Sequence, residues 1–256
     1  MEDKIKKAAE LIKDSNYIVA FTGAGISTES GIPDFRSPGG LWERYDPSIY
    51  AEISSFLSHP EKYWKMHREL SQMVLNAEPN PAHVALADLE HKYGKLKTVI
   101  TQNVDFLHSR AGNTNVLEIH GSGQTARCLK CNKEFHYTQI QQMLEEEQYV
   151  PRCPHPCYGL IKTNTILFGE QLPWDVLDQA REEILAADLL IIIGSSLLVY
   201  PAAALPSLAQ QSGTRLIIIN MEPTMMDSYA NVVLHSKAGK ILPKVFEAFE
   251  SLINDS

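Results

Sequence analysis

The chain has 256 residues, 44% hydrophobic and 21% charged, a balance typical of globular proteins large enough to bury a core without disulfide staples. Its formal charge of −8 excludes a protein that coats nucleic acid through a basic surface. The longest apolar runs, residues 189–193 and 216–219, are far too short to span a bilayer. Residues 1–16 place Ile5, Ala8, Ala9 and Ile12 at helical spacing among charges. They lack the continuous apolar run of a secretory leader, so the cytoplasm is the expected compartment. Strands are expected at 17–22, 98–101, 116–119, 165–168, 189–193 and 216–220, each a short β-branched run. Helices are expected at 173–187 and 241–253, and Asn80-Pro81 is a helix start with an N-cap followed by proline. Strands alternating with helices imply a mostly parallel sheet covered on both faces, with ligands at the carboxyl ends of its strands. Residues 37 to about 77 contain no strand pattern and read as a helical insertion, and 128–157 hold all four cysteines.

The first strand runs into Gly23-Ala24-Gly25-Ile26-Ser27, where a phosphate-binding turn is expected. Glycines let the backbone approach a pyrophosphate, and a following helix N-terminus presents free N–H groups. The third glycine of the usual fingerprint is absent, since Thr28 stands there, and a tight turn without a ligand remains open. Asn220 ends the apolar run 216–219, and Gly194-Ser195-Ser196 follows the run 189–193, giving two further polar strand ends.

Cys128-x2-Cys131, then twenty-one residues, then Cys153-x3-Cys157 has the spacing of a structural zinc ribbon. Four protein ligands leave no open position, which excludes catalytic zinc. His155 lies inside the second pair, so a Cys3His set stays open beside four thiolates, as do free thiols or a redox pair.

Together these features resemble the sirtuin family, in its compact prokaryotic form. The stretch 23–36, Gly-Ala-Gly-Ile-Ser-Thr-Glu-Ser-Gly-Ile-Pro-Asp-Phe-Arg, is similar to the family's first signature. Thr101-Gln102-Asn103-Val104-Asp105 is similar to the second, His120-Gly121 to the third, and residues 194–203 to the fourth. The motifs occur in the family's order and span roughly residues 5 to 250, with the cysteines in the place of its zinc module.

The resemblance implies an α/β fold: a doubly wound, mostly parallel Rossmann-like sheet with a small zinc-ribbon domain and a helical insertion. It implies an NAD-binding domain at 1–36, 78–122 and 164–256, the insertion at 37–77 as part of the small domain, and a zinc-binding module at 123–163. It also implies NAD-dependent removal of acyl groups from protein lysines, giving nicotinamide, O-acyl-ADP-ribose and free lysine, with one structural Zn2+ on Cys128, Cys131, Cys153 and Cys157. His120 would be the general base, a role its ordinary pKa suits, and Asn103 the second catalytic residue. Ala24, Thr28, Phe35, Arg36, Gln102, Asn103, Val104 and Asp105 would hold the nicotinamide and ribose side of NAD, with Phe35 shielding the reactive ribose carbon. Gly194, Ser195, Ser196, Asn220, Met221, Lys237 and Ala238 would hold the adenosine side. Ile166, Phe168 and Val199 would line an acyl-lysine tunnel. The substrate backbone would add as a strand along Gly169-Glu170-Gln171 and 197–199. Asn103 and Asp105 also suit helix capping, and the tunnel residues suit ordinary core.

Three positions depart from the family pattern. The Cys153–Cys157 spacing is one residue wide, and Thr163 stands where proline commonly follows the Lys or Arg of the strand lead-in. Trp64-Lys65-Met66-His67-Arg68 lacks the Tyr-x-x-Arg of members that prefer acidic acyl groups, so acetyl or another uncharged acyl is expected over succinyl. A mono-ADP-ribosyltransferase or NAD hydrolase is the alternative enzyme, and a non-catalytic NAD- and zinc-binding module the alternative of another class. The expected partners are acyl-lysine proteins, with no nucleic acid, no membrane and a monomer by default.

Overall fold

A computed structural model describes residues 1–145 and 150–254. Residues 146–149, inside the stretch expected as the zinc module, and 255–256 lie outside the described residues. In chain order the strands are β1 Ile18–Thr22, β2 Leu96–Thr101, β3 Val116–Glu118, β4 Gly121–Cys128, β5 Glu134–His136, β6 Ile161–Thr165, β7 Leu189–Ile193, β8 Arg215–Ile219 and β9 Val232–Leu234. The chain forms two compact units. Unit 1 comprises Met1–Asp34, Ala77–Ile119 and Trp174–Ser256, and unit 2 comprises Phe35–Asn76 and His120–Pro173.

Unit 1 is built on a six-stranded sheet of order β3-β2-β1-β7-β8-β9, every neighbouring pair parallel. The central strands are β-branched and buried along their whole length because helices cover both faces. On one face Ile18, Ala20, Ile191, Ile193, Ile217 and Ile219 pack with Ala8 and Ile12 of helix Glu2–Lys13, Leu86 and Leu89 of helix Pro81–His91, and Leu242 and Phe249 of helix Ala238–Asn254. Val19, Phe21, Leu190, Ile192 and Ile218, of opposite parity, are equally buried on the other face. There helix Leu205–Ser212 packs against β7 and β8, beside helix Trp174–Ala186. The strand order reverses direction between β1 and β7, so the carboxyl ends of those two strands flank the topological switch point.

Unit 2 combines a three-stranded antiparallel sheet, β5-β4-β6, with helices Leu41–Arg44, Pro47–Tyr50, Ile53–Ser58, Pro60–Asn76 and Tyr137–Glu145. One core joins them: Phe56, Tyr63, Trp64 and Met66 from the helices pack with Ala126, Cys128, Phe135, Ile161 and Leu167. The helical reading of 37–77 therefore holds. The expected strand at 165–168 does not: the strand is Ile161–Thr165 and belongs to the antiparallel sheet. Residue 168 instead makes an isolated bridge to Glu52, its N–H donating to the Ala51 carbonyl at 2.8 Å and its carbonyl accepting from the Ile53 N–H at 3.0 Å. The apolar run there is real, but its main-chain groups are claimed by a helical segment rather than by a sheet. Among the described residues no helix is long and apolar enough to cross a membrane.

Candidate active site

The glycine turn after β1 differs from the expectation of a phosphate turn opening an α-helix. Two short 3-10 turns follow instead, Ala24–Ile26 and Thr28–Ser30. The glycines serve a close approach between two turns. Gly25 N–H donates to the Gly194 carbonyl at 2.8 Å and Gly23 N–H to the Ile193 carbonyl at 3.0 Å. A Cβ on Gly25 would meet Gly194 Cα at 2.8 Å, and one on Gly194, whose φ is +61°, would meet the Ile26 nitrogen at 2.2 Å. The turns after β1 and β7 are thus locked backbone to backbone across the switch point.

Polar side chains converge on this junction. Gln102 Nε2 donates to Ser195 Oγ at 2.8 Å. Asn103 Nδ2 donates to the Gly23 carbonyl at 3.2 Å and to Ser27 Oγ at 3.1 Å. Ser27 Oγ donates to Asp105 Oδ2 at 2.6 Å, and Asp105 Oδ1 accepts the Leu107 N–H at 3.0 Å. Asp105 therefore satisfies the first N–H of helix Leu107–Ala111, whose N-cap is Phe106, whereas the two Asn103 Nδ2 hydrogen bonds go to the turn after β1. Burial raises the Asp105 carboxyl above the ordinary range, and the Ser27 and Leu107 hydrogen bonds oppose that shift. Ser27 was not among the residues expected at the site, although it lies inside the first signature. Its place between Asn103 and Asp105 depends on the fold of two loops about eighty residues apart.

The remaining unit 1 residues sit around the same strand ends. Ala24 and Val104 are half-buried, and Thr28 Oγ1 donates to the Gly25 carbonyl at 3.0 Å. Ser196 and Met221 are exposed beyond β7 and β8. Asn220 Nδ2 donates to the Glu222 carbonyl at 2.7 Å, and its own carbonyl contacts His235 Nδ1 at 3.2 Å. Lys237 is exposed and Ala238 buried at the start of helix Ala238–Asn254. Glu29 Oε2 accepts the Gly239 N–H at 2.6 Å, so this helix N-terminus already has a carboxylate partner. Val199, half-buried, gives its carbonyl to the Ala203 N–H at 2.8 Å.

In unit 2, β3 has already ended at Glu118 when His120 is reached, and the half-buried His120 leads directly into β4. Its carbonyl accepts the Ile166 N–H at 2.8 Å, tying it to the segment that follows β6. Gly121 has φ +72°, and a Cβ there would lie 2.0 Å from the Asn164 carbonyl oxygen. Phe35, Trp42 and Phe168 form an aromatic row with ring centroids 4.8 and 6.3 Å apart. Arg36 is exposed near its start. Glu170 N–H is held by the Leu167 carbonyl at 3.0 Å, so one main-chain donor of 169–171 is already engaged within the segment.

The four cysteines cluster, all sulfurs lying within 4.8 Å of one another. Cys128 and Cys157 Sγ are 3.6 Å apart, and Cys131 and Cys153 Sγ 3.7 Å. A tetrahedron of sulfurs about 2.3 Å from zinc has edges of about 3.8 Å, so the thiolates fit that ion. His155 stands outside the cluster, exposed and edge-on to Tyr158 at 5.8 Å. Four thiolates are therefore the donor set. The non-glycine residues with left-handed backbone among the described residues are Phe106, Asn132, Tyr158 and Leu197. Two flank the polar cluster's loops and two follow cysteines, where surrounding contacts hold strain that free loops would release.

Polar groups gathered at a doubly wound sheet's switch point, together with a separate four-thiolate ribbon, define a dinucleotide-binding protein with a structural zinc module. The Sir2 family model matches residues 23–201. An "NAD-dependent protein deacylase 2" of Archaeoglobus fulgidus is 46% identical over 252 residues, 98% of each chain. A solved Sir2 enzyme superposes with a TM-score of 0.92 at 46% identity, covering 98% of this chain and all of that one. Another, a Sir2 with a deacetylated p53 peptide and 3'-O-acetyl ADP ribose, has a TM-score of 0.89 at 40% identity and covers 95% of this chain and 97% of its own. The chain belongs to the Sir2 family.

Proposed function

We propose that this protein is an NAD-dependent protein lysine deacylase that prefers acetyl or another uncharged acyl group. The family match, the deacylase relative and the solved structure holding deacetylated peptide with O-acetyl-ADP-ribose support that activity. The observation within this chain that carries the reading is the Ser27–Asn103–Asp105 cluster. An amide, a hydroxyl and a carboxyl buried together at strand ends contribute little to a core and cost desolvation, which a binding role explains.

NAD, when bound, supplies a ribose carbon from which nicotinamide departs and a hydroxyl that takes the acyl group. In this reading Asp105 and Asn103 orient the nicotinamide and its ribose, and Ala24, Thr28, Gln102, Val104 and Arg36 complete that side. Phe35, packed on Trp42, excludes water from the reacting carbon. Gly194, Ser195, Ser196, Asn220, Met221, Lys237 and Ala238 hold the adenosine half. His120 takes the proton from the ribose hydroxyl as general base, and Gly121 gives its backbone the sharp turn that presents it. Ile166, Phe168 and Val199 line the acyl-lysine path, and the main chain at Gly169–Gln171 pairs with the substrate backbone.

Nicotinamide release from NAD, measured with and without an acetyl-lysine peptide, tests the activity. Release that requires the peptide is expected. Equal release without it would point to NAD hydrolysis, and none at all to a binding module. His120→Ala is expected to abolish deacylation while NAD binding persists, and normal turnover by that variant would remove His120 as the base.

A further inference from the structure

Among the described residues of unit 2, Lys162 is the largest charged side chain that is buried, with 2% of the side chain exposed. Its ammonium has three N–H donors, and three acceptors surround it. They are the Thr163 carbonyl at 2.9 Å, the Thr165 carbonyl at 2.7 Å and Glu170 Oε2 at 2.9 Å. The first two lie on β6 and the third lies beyond the bend that follows it. The same Glu170 oxygen accepts the Leu167 N–H at 2.8 Å, inside that bend. Lys162 thus bridges the entering and leaving arms of one nine-residue segment, 162–170, with no acceptor drawn from elsewhere among the described residues.

Two features of that segment matter for function. Ile166 N–H donates to the His120 carbonyl, and Gly169–Gln171 carries the main chain offered to substrate. Thr163, in the position where the family pattern has proline, joins the same arrangement: its hydroxyl lies 2.5 Å from Tyr63 Oη and 2.7 Å from Thr165 Oγ1. Replacing a buried ion pair by apolar groups of similar volume is often neutral for stability. Stability alone therefore does not call for an ion pair at this place, and a positional role accounts for it.

We propose that Lys162 is a positioning residue for substrate, its ion pair with Glu170 holding residues 165–171 in the register that pairs with an acyl-lysine peptide. This rests on the deacylase reading above. Without the charge the bend is free to open between Thr165 and Glu170, and the peptide-pairing edge and the Ile166–His120 contact loosen together. Of the residues read as holding NAD, all but Phe35 and Arg36 belong to unit 1, and the ion pair makes its hydrogen bonds to none of them.

The test uses the full-length zinc-loaded protein and an acetyl-lysine peptide. Lys162→Met is expected to raise the KM for peptide about ten-fold, the effect of losing about one main-chain hydrogen bond to it, with NAD affinity unchanged. Lys162→Arg keeps a charged donor in a place where the family pattern has Lys or Arg, and is expected to stay within about three-fold of wild type. The double variant Lys162→Met/Glu170→Gln removes the stranded charge. It is expected to regain thermal stability lost by Lys162→Met but not peptide affinity, whereas a purely structural role predicts that affinity returns together with stability. Should Lys162→Met fail to fold, the double variant carries the test. Wild-type peptide KM in the double variant, or parallel loss of NAD and peptide binding, would overturn the proposal. If the wild-type protein itself ignores acetyl-lysine peptide, the deacylase reading fails instead.

Discussion

At Gly121, a positive φ and a Cβ position 2.0 Å from the Asn164 oxygen act together, so the site tolerates no side chain without moving β4 from β6. Gly121→Ala is expected to destabilise the protein by about 2 kcal/mol or more, measured by urea denaturation. A variant as stable as wild type would show that the turn after His120 does not need glycine. Ser27 presents a different kind of dependence. Its hydroxyl accepts from Asn103 and donates to Asp105, so Ser27→Ala strands two buried groups, at a cost of about 1–3 kcal/mol. Because the Ser27 hydrogen bond favours the charged form of Asp105, its removal is expected to raise the Asp105 pKa further. Carbon-detected NMR titration of that carboxyl would read the shift, and a downward shift would contradict the hydrogen-bond assignment.

The best-specified element is helix Pro81–His91, whose start was legible as Asn80-Pro81. The Asn80 side chain accepts the Ala82 N–H at 2.9 Å, and His83 Nδ1 accepts the Asn80 N–H at 3.3 Å, closing a capping box. The sequence did not disclose that Asn80 Nδ2 also donates to the Ile26 carbonyl at 2.7 Å and to Ser30 Oγ at 3.0 Å, which fastens this helix to the turns after β1. Asn80→Ala is therefore expected to cost about 2 kcal/mol, the upper end for a lost cap, with a fall in NAD affinity. A loss of a few tenths with NAD binding intact would mean the tethers are idle. Strand β4 lies at the other extreme. Residues 121–128 hold two glycines and alternate no apolar face, so β-propensity did not mark them. They form a strand because β5 and β6 pair on both sides and Cys128 joins the thiolate cluster. The cysteine spacing was legible in the sequence while the sheet it supports was not. Zinc removal by a strong chelator is accordingly expected to unfold β4–β6, seen as lost strand signal in circular dichroism, and readdition to restore it. Unchanged dichroism after complete metal loss would assign the zinc no structural role.

For the molecule as a whole, the alternation of apolar strands and amphipathic helices was enough to give a parallel sheet covered on both faces. The order β3-β2-β1-β7-β8-β9 and the locking of Gly25 against Gly194 were not legible, since both follow from contacts between distant parts of the chain. The same distance effect hid a buried polar pair under the sheet's ligand end. His83 and His108 lie ring to ring at 4.9 Å, almost fully buried, and His108 Nε2 contacts Thr22 Oγ1 at 2.9 Å. Burial lowers their pKa values from 6.5 to about 4 for His83 and about 3 for His108, where the His83 charge adds to the effect. Between pH 6.5 and 4 the unfolded chain therefore binds protons that the folded one refuses, and stability must fall as the pH drops through that window. Each neutral histidine accounts for a loss of up to about 3 kcal/mol, since one pKa unit corresponds to about 1.4 kcal/mol. Asp105 has the opposite sign: its raised pKa makes acid stabilising, but one carboxyl offsets only part of two histidines. Unfolding free energy measured in urea is thus expected to be lower at pH 5 than at pH 7.5. His108→Gln should be less stable at pH 7.5 yet lose markedly less on acidification. Equal stability of the wild type at the two pH values would mean that the pair is hydrated or charged in the folded protein, and the neutral buried assignment would have to be withdrawn.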